Sequence, residues 1–195
     1  MIKPLFSFIV LFTLLSCGNS IKEKEDAEGK VEIVDLSQVT NEKKEIVSEI
    51  ISFQKDIENR KLDKIPDYFD CPKRVEEIEL SMNNSKIRNA IELNSSRLST
   101  DVVKEQFDLL YTEMDLDIIN ESLKLIPEND FLTQDEVKST VNIGECDYDT
   151  RVTMNGKEVK FSIVTVTENE NCKKDQQWKF NSNGEYLVLD RRYYL

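Results

Sequence analysis

On both sides of Asn155-Gly156 the chain alternates apolar and polar residues, and that pattern commits this stretch to an antiparallel hairpin. A type I′ turn needs positive φ at both central positions, which asparagine and glycine tolerate. With Met154 paired to Lys157, Val152 faces Val159, Thr150 faces Phe161 and Tyr148 faces Ile163. The same register sets Asp149, Arg151 and Thr153 opposite Ser162, Lys160 and Glu158. One face is then apolar and the other polar, so turn and pairing agree. Trp178 and Phe180 alternate in a third strand, Asn183-Gly184 marks a second turn, and Glu185 to Arg191 makes a fourth strand.

Upstream the apolar period changes from two to between three and four. Ile46, Ile50, Phe53 and Ile57, widened by Val47 and Ile51, predict a helix from about Asn41 to Arg60. Thr40 or Asn41 can cap it, and Glu42 suits its first turn. A short helix or turn over Leu62 to Phe69 follows and stops near Cys71-Pro72. Between Val75 and Leu98 the pattern is ambiguous, although Ser85 can cap a helix carrying Ile87 and Ile91. Val103, Phe107, Leu110, Tyr111 and Met114 describe another amphipathic helix, and Leu116, Ile119, Leu123 and Ile126 continue the pattern to Pro127. Thr133-Gln134-Asp135-Glu136 has capping-box spacing and is expected to open a short helical turn. Helices first and a meander of about four strands after them predict an α+β domain over residues 41–195, with helices on one sheet face.

The N-terminus carries a different signal. Lys3 supplies a basic start, Leu5 to Leu15 an apolar run, and Cys17 follows a small residue. The run is too short for the roughly 20 residues of a spanning helix. Leu14-Leu15-Ser16-Cys17 resembles the lipobox of bacterial lipoproteins. That resemblance implies that residues 1–16 are a removed signal and that Cys17 takes diacylglycerol and becomes the mature N-terminus. Two or three acyl chains, at about 0.8 kcal/mol per buried methylene, hold far more firmly than one. Residues 17–40 read as the lipidated cysteine and a charged tether spanning on the order of 25 Å. Gly18 is not the aspartate of inner-membrane retention, so the resemblance implies the outer membrane of a Gram-negative envelope, periplasmic or surface-exposed.

Charge and residue usage narrow the chemistry. The chain has a formal charge of −12, and loss of Lys3 takes it one unit lower. Such a chain is no general nucleic-acid binder, while a basic protein partner suits it. Histidine is absent, which removes the commonest general base, the usual metal ligand and every Ser-His or Cys-His pair. No glycine-rich phosphate loop or EF-hand frame occurs, and Glu128-Asn129-Asp130 and Asp147-Tyr148-Asp149 read as surface charge. Neither a catalytic residue nor a metal ligand is assigned, and no cofactor is expected beyond the lipid on Cys17. With Cys17 taken by the anchor, Cys71, Cys146 and Cys172 allow three single bridges. Cys146–Cys172 is favoured, because a loop bearing Cys172 can fold back beside the strand bearing Cys146; Cys71 is then a buried thiol.

The long first helix, the segment Asn59 to Phe69 and the C-terminal hairpins resemble the cystatin-like cone of the nuclear transport factor 2-like superfamily, over about residues 41–195. Residues 100–126 depart from its compact pattern. The resemblance implies a hollow between sheet and helix, and Tyr148, Phe161 and Trp178 are the residues expected to line a ligand pocket there. These readings predict a membrane-anchored, non-enzymatic module that binds a protein or small ligand. Two alternatives are an inhibitor or immunity-type lipoprotein against a basic toxin or enzyme, and a small cone-fold enzyme using a carboxylate.

Overall fold

In the computed structural model, which describes residues 39–195, helix α1 (Asn41–Glu58) begins where the Thr40 side chain accepts a hydrogen bond from Lys43 N. Ile46, Val47, Ile50, Phe53 and Ile57 form its buried stripe. Signal, lipobox and almost all of the tether lie outside the described residues. After α1 come α2 (Ile65–Tyr68), a two-residue strand β1 (Lys73–Arg74) and a 3₁₀ turn (Val75–Glu77). Helix α3 (Ser85–Leu93) is capped by Asn84, whose side chain accepts from Lys86 N and Ile87 N; Ser85 is the first helical residue. Strand β2 (Arg97–Leu98) pairs back with β1. Helix α4 (Thr100–Glu113) is capped by Ser99, and α5 (Leu116–Leu125) and α6 (Glu128–Thr133) complete the helical part.

The sheet is a five-stranded antiparallel meander, ordered β3 (Glu136–Ile143), β4 (Cys146–Asn155), β5 (Glu158–Thr165), β6 (Gln176–Ser182) and β7 (Leu187–Tyr194). The chain is α+β with helices preceding the sheet, as its periodicities predict. Strand β3 replaces the helical turn expected after Thr133. The Thr133 hydroxyl donates to Asn129 O and so belongs to the end of α6. Val137 and Val141 then alternate with polar residues and meet Val152 and Tyr148 across β4.

The first hairpin keeps its predicted faces and changes its partners. Asn155 pairs with Glu158, Val152 with Phe161 and Thr150 with Ile163. Gly156 has φ of +54°, whereas Asn155 is still in the strand, so the central residues are Gly156 and Lys157. A turn that needs positive φ at its first central position takes glycine there. The partners move by two residues, and a shift of two leaves every side chain on its own face. At the second turn Asn183 Oδ1 accepts from Glu185 N and Tyr186 N, and Gly184 has φ of +92°.

Helix α1 closes the apolar face of the sheet. Phe53 lies 5.2 Å from Phe180 and 5.1 Å from Tyr68, ring centre to ring centre, and Phe180 lies 5.5 Å from Phe161. Trp178 stacks on Phe180 at 6.1 Å. The opposite face carries polar and charged side chains such as Lys138, Asp149, Lys160 and Lys179.

Candidate functional site

Tyr148, Phe161 and Trp178 share the helix-covered face, and their surroundings there are filled. They are 2, 3 and 0% exposed, respectively. None of them lines a cavity described below, and the space expected to hold a ligand is occupied by Phe53 and Phe180. The Tyr148 hydroxyl accepts from Lys173 N at 3.0 Å, and Trp178 Nε1 donates to Gln176 Oε1 at 3.0 Å. Alternation places a residue on a face; it does not say whether that face is hollow. Cys146 and Cys172 are joined by a disulfide with Cα atoms 5.7 Å apart. Burial pushes the free Cys71 thiol up to about 12, which keeps it protonated and inert at neutral pH.

Behind Trp178 sits a buried ion pair that no sequence pattern announced. Arg192, in β7, is 1% exposed and directs five donors to five acceptors. Its Nε donates to Gln176 Oε1, Nη1 to the carbonyls of Ile78 and Glu79, and Nη2 to Asp115 Oδ2 and the Tyr194 hydroxyl. Its guanidinium also lies 5.3 Å from the Trp178 ring centre and 4.8 Å from that of Tyr194. Asp115 stands at the break between α4 and α5 with φ of 55°, a left-handed conformation that aspartate tolerates. Gln176 Nε2 donates to its Oδ2 at 2.7 Å, and Lys173 Nζ lies 2.9 Å from Oδ1. Burial opposes the charge on Lys173, but Asp115 outweighs it and holds the ammonium above its usual range. Each charge is met from more than one side, so the cluster ties helices, sheet and the turn at 78–79 together.

The largest described cavity, about 1060 Å³, opens between that turn, the corner at 95–97 and the outer face of β5, β6 and β7. Lys160 and Lys179 reach it from adjacent strands, Arg191 from β7, and Arg74 and Arg97 from the small β1–β2 ladder. Glu158 sits between the two lysines, at 2.6 and 2.7 Å, and their hydrogen bonds hold its carboxyl below the usual range. Ser95 and Ser96 form the corner with φ of 58° and 59°. The β1 segment is fixed by Lys73, whose buried ammonium donates to Leu189 O at 2.8 Å. Edge tethering by Lys73 and Arg192 therefore positions the cleft.

No family model, curated protein or solved structure matches this chain. Its site chemistry rests on the geometry. Arg74, Arg97 and Arg192 all escape sequence reasoning, because two-residue strands have no period and the Arg192–Asp115 contact spans 77 positions. Alternation from Leu187 and Leu189 points to Arg191, and only the β-bulge between Lys179 and Phe180 brings Arg192 onto the apolar face opposite Trp178. Two other buried carboxylates lie along α1. Asp56 accepts from the Tyr68 hydroxyl at 2.8 Å, and Glu49 Oε1 accepts from Ser182 Oγ and Gly184 N. Glu49 Oε2 has no hydrogen-bond partner among the described residues, and burial raises this carboxyl above its ordinary value.

Proposed function

We propose that this protein is a lipid-anchored component of the bacterial envelope whose α+β domain is a non-enzymatic binding module. The observation that carries the anchor is Leu14-Leu15-Ser16-Cys17 closing a basic-then-apolar leader. Acyl chains on Cys17 would supply the attachment; among the described residues no helix is long and apolar enough to cross a membrane. The buried carboxylates support a binding role more than a catalytic one: Asp115 and Asp56 are held by Arg192 and Tyr68, Glu49 accepts from Ser182 and Gly184, and none of the three lines the large cleft. The cleft beside β7 offers an accessible, charged recess of ligand size.

Fractionation tests the anchor. Wild type should sediment with envelopes and leave them only with detergent, while Cys17→Ser should be released in soluble form or retained as uncleaved precursor. Equal sedimentation together with equal mobility on a denaturing gel, so that neither release nor an uncleaved precursor is seen, would contradict the proposal.

A further inference from the structure

The charge of the cleft runs against the charge of the chain. The protein has 38 acidic and 26 basic residues, yet Arg74, Arg97, Lys160, Lys179 and Arg191 converge on one recess. Most of the other charges there are already met. Lys160 and Lys179 share Glu158, Arg191 has Asp190 at 4.0 Å, and Asp190 is also 3.5 Å from Lys179. Glu77 lies 3.7 Å from Lys73, and Glu79 accepts from Tyr194 N. Glu76 and Glu79 are the lining carboxylates that stay exposed and free of ion pairs among the described residues.

Arg74 and Arg97 stand apart. They are direct cross-strand partners, so like charge faces like charge, an arrangement that destabilises a ladder. Neither makes an ion pair among the described residues; Arg97 Nη1 makes one long contact, 3.5 Å, to Pro72 O. Two exposed arginines at paired backbone positions, neither of them in an ion pair among the described residues, form a receptor for an oxyanion that arrives from outside. A phosphate monoester, close to doubly charged at neutral pH, matches two guanidinia, whereas a carboxylate supplies one charge. The recess is also far larger than a bare ion, and Ser95 and Ser96 place hydroxyl-bearing side chains around it, while the Tyr193 hydroxyl donates to Gln177 Oε1.

We propose that Arg74 and Arg97 bind the phosphate of a phosphate monoester with a polar, sugar-sized body. This deepens the reading of the domain as a binding module and is independent of the lipid anchor. Two sources share that chemistry, a soluble sugar phosphate and a phosphorylated headgroup.

The test is calorimetric titration of the full chain in detergent, with glucose 6-phosphate in one arm and a short-chain phosphatidylinositol 4-phosphate, whose phosphate monoester sits on a sugar-sized polyol, in the other. Saturable binding in at least one arm is expected, weakening as salt rises. Arg74→Gln and Arg97→Gln should each weaken it about tenfold or more. Both positions are exposed and each substitution removes a like-charge pair, so the thermal midpoint should hold or rise, which separates lost binding from lost folding. Absence of saturable binding in both arms, or undiminished affinity in both variants, would overturn the proposal. The arm that binds identifies the source.

Discussion

Replacing Arg192 with methionine keeps most of the side-chain length and removes every donor. Asp115 would then be left 1% exposed, with Gln176 and Lys173 as its remaining partners. The carbonyls of Ile78 and Glu79 would lose the Nη1 donor that ties them to β7. Removing one partner of a buried pair typically costs about 3–5 kcal/mol, because the other charge stays buried and uncompensated. Against a total of about 5–15 kcal/mol for an ordinary domain, that is a large share. It corresponds to a fall in thermal midpoint of roughly 6–20 °C for a domain of this size. Arg192→Lys should lose nearly as much, since a lysine offers three donors and cannot serve five acceptors in one plane. Urea unfolding followed by circular dichroism measures both. Adding Asp115→Asn to Arg192→Met should cost clearly less than the sum of the singles, because the orphaned charge is gone. A loss below about 1 kcal/mol for Arg192→Met, or full additivity in the double variant, would refute the assignment of Arg192 as the tie between helices and sheet.

Other perturbations probe separate parts of the molecule. Glu49 has its carboxyl raised above 4.5 by burial, so its protonated form is favoured in the folded chain and stability falls as pH rises from about 4.5 through the raised value. Glu49→Gln should therefore be more stable than wild type at neutral pH and lack that segment of the pH profile; parallel profiles for the two chains would contradict this. Replacing Cys146 and Cys172 with serine opens a loop of 26 residues and should lower stability by about 3 kcal/mol, read from denaturant midpoints of oxidised and substituted chains. Cys71, raised to about 12, should alkylate at pH 8 on the order of a thousandfold more slowly in the native chain than in urea. Rapid native labelling at that position would show the thiol to be accessible and ionisable.

Much of the fold was legible because burial imposes a period. Ile46, Ile50, Phe53 and Ile57 mark α1, and Val152, Phe161, Trp178 and Phe180 mark the inner sheet face, since one stripe or face of each element meets the core. The hairpin register was not legible in the same way. A slip of two residues leaves that pattern unchanged, so only the backbone at Gly156 decides between Met154–Lys157 and Asn155–Glu158. Strand β3 was hidden by the capping-box spacing of Thr133 and Glu136, which lies across the end of one helix and the start of a strand. The site was less legible still. Tyr148, Phe161 and Trp178 share the expected face, but α1 fills the space above it. Arg74 and Arg97 meet only because the 22 intervening residues turn back into a two-residue ladder, and nothing local encodes that meeting.

The cleft and the buried cluster meet at one arginine. Arg192 lines the cleft at its rim while its guanidinium is spent inside, so its role is to hold the turn at 78–79 in place. Arg74 and Arg97 are free to meet a ligand because Lys73 and Arg192 fix the segment between them and β7. Stability and recognition are thus assigned to different cations of the same edge.

The anchor is the claim on which the cellular reading stands, and the intact mass of the chain extracted from envelopes tests it most directly. The mature species should begin at Cys17 and carry the added mass of a diacylglyceryl group and any N-acyl chain. A chain that still begins at Met1, or one that begins at Cys17 with an unmodified thiol, would contradict the account.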